Sequence, residues 1–129
     1  MGVRVLVVDD EPDARDLIQA VLSEAGATVE TAGSASEGMD VLQAFRPDVL
    51  VSDIGMPEED GYAFIRRVRS LPLSEGGRTP SLALTAYARE EDRTKALSMG
   101  YTTHIDKPVN PDGLTAAVRN LASSFVYRA

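Results

Sequence analysis

The chain has 129 residues, 43% of them hydrophobic, which is enough for one ordinary core but too few for two independent domains. Its formal charge of −7 disfavours direct binding to nucleic acid or to an anionic membrane surface, and the absence of cysteine excludes disulfides, thiolate catalysis and cysteine zinc sites. No apolar run reaches the length of a membrane span, and the first residues lack the pattern of a secretory signal. We therefore expect one domain over residues 1–129, located in the cytoplasm.

Short β-rich segments alternate with segments of helical periodicity along the whole chain. The predicted strands, in chain order, are VRVLVV (3–8), ATVETA (27–32), DVLVS (48–52), SLALT (81–85) and THI (103–105). Each is followed by a predicted helix, and connections of this length join parallel strands. The sequence therefore predicts an α/β domain with a parallel sheet.

The predicted helices have recognisable starts and apolar faces. The first lies between Pro12, which suits a first turn, and Gly26, which suits a stop. Its predicted buried face consists of Ala14, Leu17, Ile18, Val21, Leu22 and Ala25. The second opens on Ser34, three residues before Glu37, which is the spacing of a capping box. The others are predicted around Phe64 to Leu71, from about Arg89 to Met99, and from Leu114 to Ala122.

Polar side chains stand where four of the predicted strands end. Asp9 and Asp10 follow the first strand, Asp53 the third, Thr85 closes the fourth, and Lys107 follows the fifth. Ligands of such sheets bind outside the carboxyl ends of the strands, so these groups should share one site. Clustered carboxylates repel one another unless a cation lies among them, and oxygen ligands suit Mg²⁺, for which Mn²⁺ could substitute.

This set of groups also suits phosphoryl transfer. The reaction requires in-line positioning and positive charge around the phosphoryl oxygens more than covalent chemistry by the protein. Asp53, kept ionised by the metal and by Lys107, could attack phosphorus, while Thr85 binds an oxygen. Gly55 would let the backbone approach the metal closely.

At this point the chain resembles the receiver domains of response regulators, the phosphoacceptor modules of two-component signalling. The segments that carry the resemblance are VLVVDDEP, VSDIGMPEEDG, LTAYA and HIDKPV, in the order typical of that family. The resemblance covers about residues 3–122 and leaves 123–129 as a tail or linker. It implies a flavodoxin-like, doubly wound, five-stranded parallel sheet of order 2-1-3-4-5, in a three-layer (βα)5 sandwich.

The resemblance also implies a role for each acidic residue of the site. Asp53 is similar to the aspartate that is phosphorylated in the family. Asp10, Asp53 and the backbone carbonyl of Gly55 correspond to Mg²⁺ ligands, and Asp9 would hold the ion through a water.

Three further residues take roles from the same resemblance. Thr85 would bind the phosphoryl oxygens and act as a switch together with His104, while Lys107 would neutralise the phosphoryl charge. The Lys107–Pro108 peptide bond resembles one that is cis in the family. Histidine at position 104 is familiar from receivers of hybrid sensor histidine kinases, so we expect greatest similarity to that subgroup.

The expected function is that of a signalling phosphoacceptor and not of an enzyme. The donor would be a phosphohistidine on a histidine kinase or a histidine phosphotransfer domain. Phosphorylation would reshape the face made by the fourth helix, fifth strand and fifth helix, which would bind a downstream protein or a second copy of the chain. Gly55 and Tyr87 stand at positions that tune hydrolysis in the family, and they predict slow loss of the phosphoryl group.

Two alternative functions use similar residues. A Mg²⁺-dependent phosphohydrolase with an aspartyl nucleophile, as in haloacid-dehalogenase-like enzymes, usually has a D-x-D motif after the first strand and a large cap. This chain has adjacent acids there and no segment long enough for such a cap. The other alternative is a degenerate receiver that binds partners without phosphorylation, which the intact set of Asp53, Thr85 and Lys107 disfavours.

Overall fold

The computed structural model describes residues 2–86 and 90–126, with the side chains of 124–126 excepted. The strands are β1 (Arg4–Val8), β2 (Thr28–Ala32), β3 (Val49–Asp53), β4 (Ser81–Thr85) and β5 (Thr103–Asp106). The helices are α1 (Pro12–Glu24), α2 (Ala35–Phe45), α3 (Gly61–Arg69), α4 (Glu90–Met99) and α5 (Pro111–Val126), with a short 3-10 helix at Leu73–Glu75. In the part of the chain that is described, no helix is long and apolar enough to cross a membrane.

All strands are parallel and lie in the order β2-β1-β3-β4-β5, which confirms the predicted fold class and strand order. The register aligns the carboxyl ends of the strands. Val8 pairs with Ser52, so Asp9 and Asp53 follow at the same level, and Thr85 pairs with Asp106 one residue before Lys107. The polar strand ends therefore meet at one edge of the sheet.

The sheet has a hydrophobic layer on each face because alternate strand residues point to opposite sides. Leu6 and Leu50 pack with residues of α2, α3 and α4. Val7 and Val51 pack with residues of α1 and α5 on the other face. Every residue of β3 is buried, so the strand that ends in Asp53 is held from both sides and positions its last side chain firmly.

Two sequence predictions about helices have different outcomes. The N-cap at Ser34 is confirmed, because its Oγ accepts a hydrogen bond from the Glu37 N–H; the Glu37 side chain accepts from the Gly33 N–H, one residue before the position expected in a capping box. The predicted burial of Leu17 is wrong, because 59% of this residue is exposed. The buried residues of α1 are Ile18 and, four residues later, Leu22; successive helical residues lie roughly 100° apart, so Leu17 falls on the flank of the helix.

Candidate functional site

The acidic cluster at the carboxyl edge of the sheet consists of Asp9, Asp10 and Asp53. Asp9 and Asp10 follow β1, and Asp53 is the last residue of β3. One carboxylate oxygen from each of the three residues lies within 4.8 Å of the others, a spacing that would allow them to share a metal ion. The structure therefore brings together the three carboxylates that the sequence placed at strand ends.

Asp9 is the most buried member of the cluster, with no exposed surface. Its Oδ1 accepts a hydrogen bond from the Glu11 N–H at 3.0 Å, whereas its Oδ2 is buried without a hydrogen-bond partner among the described residues. Burial raises the pKa of the Asp9 carboxyl, the Glu11 hydrogen bond opposes this rise, and the nearby Asp53 charge adds to it. A buried acceptor without a partner costs about 1–3 kcal/mol, and a cation would remove that cost. The donor set thus fits a hard divalent ion.

Among the described residues, Lys107 is the one cationic side chain that forms an ion pair with Asp53. Its carboxylate is almost fully buried, and Lys107 Nζ lies 3.0 Å from Asp53 Oδ1. The same Nζ is 4.0 Å from Asp9 Oδ2, which is too long for a hydrogen bond. Lys107 is positioned by its backbone, whose N–H donates to the Thr85 carbonyl at 2.8 Å, and the Lys107–Pro108 peptide bond is cis.

Two glycines near Asp53 differ in what the structure requires of them. A Cβ at Gly61, the first residue of α3, would lie 2.5 Å from the Asp53 carbonyl oxygen and 2.6 Å from the Ile54 Cα. A Cβ at Gly55 would meet nothing within 4 Å. Packing of the chain therefore demands glycine at 61, which sequence reasoning missed although it follows the helix cap Asp60 directly.

The hydroxyl of Thr85 is engaged by a residue that sequence reasoning also missed. Thr85 is buried, and its Oγ1 donates a hydrogen bond to Asp106 Oδ1 at 3.0 Å. The second oxygen of Asp106 accepts from Arg93 of α4 at 2.7 Å. The hydrogen bond from Thr85, followed by that from Arg93, lowers the pKa of the Asp106 carboxyl.

His104 lies at the far side of this arrangement. Its side chain is 24% exposed, and its Nδ1 is 4.0 Å from Asp106 Oδ1. It does not line the cleft above Asp53, so its role as a switch residue stays a prediction. Tyr87, predicted to slow hydrolysis, lies outside the described residues.

A cleft of about 360 Å³ opens above the acidic cluster. The predicted site residues that line it are Asp10, Asp53, Gly55, Thr85 and Lys107. Tyr62 of α3 and Asp92 of α4 line it as well, and no local signal in the sequence pointed to either. The cleft thus offers carboxylates, a hydroxyl and an ammonium group to a small anion that arrives with a cation.

A family model described as the response regulator receiver domain matches residues 5–119. The chain belongs to this family. Receiver domains are the phosphoacceptor modules of two-component systems; they bind Mg²⁺ at an acidic pocket and act with histidine kinases or phosphotransfer domains. The resemblance that the motifs indicated is confirmed.

Relatives of this receiver domain include proteins of similar and of greater length. An uncharacterized 14.6 kDa protein of Leptolyngbya boryana is 47% identical over 121 residues, which cover 94% of this chain and 91% of that protein. The response regulator Rre1 of Synechocystis sp. is 40% identical over 120 residues, covering 92% of this chain and 51% of Rre1. The receiver domain therefore spans about half the length of that named regulator.

Solved structures agree with the fold. The chemotaxis protein CheY4 of Vibrio cholerae is 33% identical and aligns with a TM-score of 0.86, over 94% of this chain and 99% of that one.

A histidine kinase is also among the sequence relatives. The probable histidine kinase 2 of Oryza sativa is 31% identical over 134 aligned positions, covering 93% of this chain and 13% of the kinase. The response regulator Rre1 matches at higher identity than this kinase, so these comparisons do not support the predicted greatest similarity to receivers of hybrid kinases.

Proposed function

We propose that Asp53 of this receiver domain accepts a phosphoryl group from a phosphohistidine of a histidine kinase or a histidine phosphotransfer domain. The observation that carries the proposal is the pairing of a buried carboxylate, Asp53, with Lys107 Nζ at 3.0 Å, beside the carboxylates of Asp9 and Asp10. Asp10, Asp53 and Lys107 line the open cleft. A carboxylate so placed is anchored at the end of a buried strand, lies beside a cationic group and lines an open cleft, which suits a nucleophile toward phosphorus.

The transfer forms one bond and breaks one. A carboxylate oxygen of Asp53 attacks phosphorus in line as the phosphorus–nitrogen bond of the donor breaks. The electron pair of that bond stays on the imidazole, which leaves neutral when its other ring nitrogen carries a proton. The product is an aspartyl phosphate on Asp53.

Residues around Asp53 would stabilise the transferred group. Asp10, Asp53 and the Gly55 carbonyl would bind Mg²⁺ directly, and Asp9 would bind it through a water. The ion, when bound, supplies positive charge to the phosphoryl oxygens and relieves repulsion between carboxylates. Lys107, now 3.0 Å from Asp53, would turn its charge to a phosphoryl oxygen.

Thr85 and the output face complete the proposal. Thr85 lines the cleft, and its hydroxyl would donate a hydrogen bond to another phosphoryl oxygen. Movement of Thr85 would alter α4 and β5 because Asp106 of β5 contacts both Thr85 and Arg93 of α4. We infer that the α4-β5-α5 face then binds a downstream protein or a second copy of the chain.

The test is incubation with acetyl phosphate and Mg²⁺, followed by intact mass. We expect the mass of one phosphoryl group per chain, removal of Mg²⁺ to prevent the reaction, and Asp53→Asn to remain unmodified. The matched control, Asp16→Asn, loses a carboxylate at an exposed position of α1 and should react like the wild type.

Three outcomes would contradict the proposal. Continued release of phosphate over many turnovers would favour a phosphohydrolase. Absence of any adduct, while partners still bind, would favour a degenerate receiver. In nuclear magnetic resonance spectra with beryllofluoride, shift changes confined to the cleft, without α4 and β5, would contradict the output face.

A further inference from the structure

The carboxylate of Asp106 accepts the one hydrogen bond that the Thr85 hydroxyl can donate. Thr85 Oγ1 donates to Asp106 Oδ1 at 3.0 Å. A hydroxyl has one proton to donate, so while this bond exists Thr85 presents only lone pairs to its other neighbours. Lone pairs repel phosphoryl oxygens, and Thr85 in this state cannot stabilise a phosphoryl group on Asp53.

The register of the sheet maintains this contact. Thr85 is the last residue of β4 and pairs directly with Asp106, the last residue of β5. Thr85 is 3% exposed, so water competes poorly for its hydroxyl. The hydrogen bond is therefore a fixed part of the sheet edge in the unphosphorylated chain.

Asp106 keeps its hydrogen bond from Arg93 when the hydrogen bond from Thr85 breaks. Arg93 donates to its Oδ2 at 2.7 Å, and His104 Nδ1 lies 4.0 Å from its Oδ1. The Arg93 and Asp106 side chains are 41% and 32% exposed, so solvent also reaches the pair. Release of Thr85 would thus leave a solvated, ion-paired carboxylate and not a buried charge without a partner.

We propose that Asp106 is a positioning residue that competes with the phosphoryl group for the Thr85 hydroxyl and so holds the receiver in its unphosphorylated form. This inference rests on the proposed function, because it requires Thr85 to bind a phosphoryl oxygen on Asp53. Phosphorylation must then break the Thr85–Asp106 hydrogen bond. The same step changes the carboxylate to which Arg93 attaches α4.

The competition predicts that loss of Asp106 strengthens binding of a phosphoryl mimic. A typical hydrogen bond is worth a change of about threefold to tenfold in an equilibrium constant. Asp106→Ala should therefore raise the affinity for beryllofluoride, measured in Mg²⁺ by nuclear magnetic resonance titration, by about threefold to tenfold.

Removing a negative charge near an anion site could produce the same gain, and a double-mutant cycle separates the two causes. Thr85→Val removes the hydroxyl and keeps the shape. In the Thr85→Val background we expect Asp106→Ala to change the affinity by less than about twofold. An equal gain in both backgrounds would assign the effect to charge and overturn the inference.

Arg93→Ala is the control for α4. It removes the ion pair but leaves Asp106 free to accept from Thr85, so it should not raise beryllofluoride affinity. If it raises the affinity as much as Asp106→Ala does, release of α4 is the cause and the competition is refuted.

A second measurement decides the question without ligand. Side-chain couplings should show Thr85 in one rotamer in the wild type and in several in Asp106→Ala. An unchanged single rotamer would overturn the inference even if Thr85→Val binds beryllofluoride too weakly to measure. Failure of the wild type itself to bind beryllofluoride, or equal binding by Asp53→Asn, would instead refute the proposed function.

Discussion

At the scale of single residues, the loop after Asp53 depends on one glycine more than on the other. Gly61 lies against the backbone of Asp53 and Ile54, and its N–H donates to the Ile54 carbonyl at 2.8 Å. Gly55 has open space where a side chain would project, and its φ is not positive. Packing therefore requires glycine at position 61, whereas the close approach of the Gly55 backbone to a metal stays a prediction.

We expect Gly61→Ala to lower the free energy of unfolding by about 2–3 kcal/mol, because the added Cβ overlaps rigid backbone. The displaced Asp53 carbonyl should also slow phosphorylation by acetyl phosphate. Gly55→Ala is the matched control: it should change stability by less than about 0.5 kcal/mol and keep its carbonyl for the metal. Chemical denaturation of both variants checks this, and equal losses would refute the distinction.

At the scale of elements, Tyr101 lies in the connection between α4 and β5 and contacts the first residue of α3. Its ring is buried, and its hydroxyl donates to the Gly61 carbonyl at 2.7 Å. Burial raises the pKa of the Tyr101 phenol far above its usual value of 10.0. The contact therefore links the position of α3, and through it the loop after Asp53, to the connection between α4 and β5.

The raised pKa predicts how stability depends on alkaline pH. The folded chain holds the phenol proton more tightly than the unfolded chain, so the contribution is complete below pH 10.0 and is lost as pH rises above it. Between about pH 10.5 and 12, the free energy of unfolding of the wild type should fall about 1.4 kcal/mol per pH unit more steeply than that of Tyr101→Phe. The check is chemical denaturation of both proteins at a series of pH values. If the free energy of unfolding falls with pH at the same slope in both, Tyr101 does not remain protonated in the folded chain.

At the scale of the whole molecule, the acidic cluster opposes folding until a cation neutralises it. The chain already has a net charge of −7, and Asp9 places beside Asp53 a buried oxygen that has no hydrogen-bond partner in the described part of the chain. Binding of an ion to the folded state alone raises global stability through mass action. The acidic cluster should therefore lower the stability of the metal-free domain, and a bound cation should raise it.

Asp9→Asn should raise the free energy of unfolding by about 1 kcal/mol in a chelating buffer, because it removes a buried charge that no described cationic group reaches at hydrogen-bond distance. Addition of Mg²⁺ at tenfold excess over its dissociation constant should stabilise the wild type by about 1.4 kcal/mol and the variant by less. Asp16→Asn, at an exposed position, controls for the change in net charge. If both variants behave alike, the effect is general and not local to the cluster.

Sequence reasoning was most successful where a function depends on strand ends. Asp9, Asp53 and Lys107 each stand beside a predicted strand, and parallel strands bring such residues together whatever the details of packing. It failed at contacts that depend on how helices lie on the sheet. Asp106 was read only as part of the HIDKPV motif, and its partner Arg93 lies on α4, where the structure describes few buried residues and the apolar pattern is weak.

The order of β-rich and helical segments, together with the acids at their ends, determined by itself the α/β class and the acidic site of this receiver domain. That is possible because hydrophobic periodicity and strand direction are local properties of the chain. The tertiary structure alone decided that Leu17 is exposed, that Gly61 must be glycine, and that the Thr85 hydroxyl donates a hydrogen bond to Asp106. Each of these depends on distances between segments that only strand register and helix rotation fix.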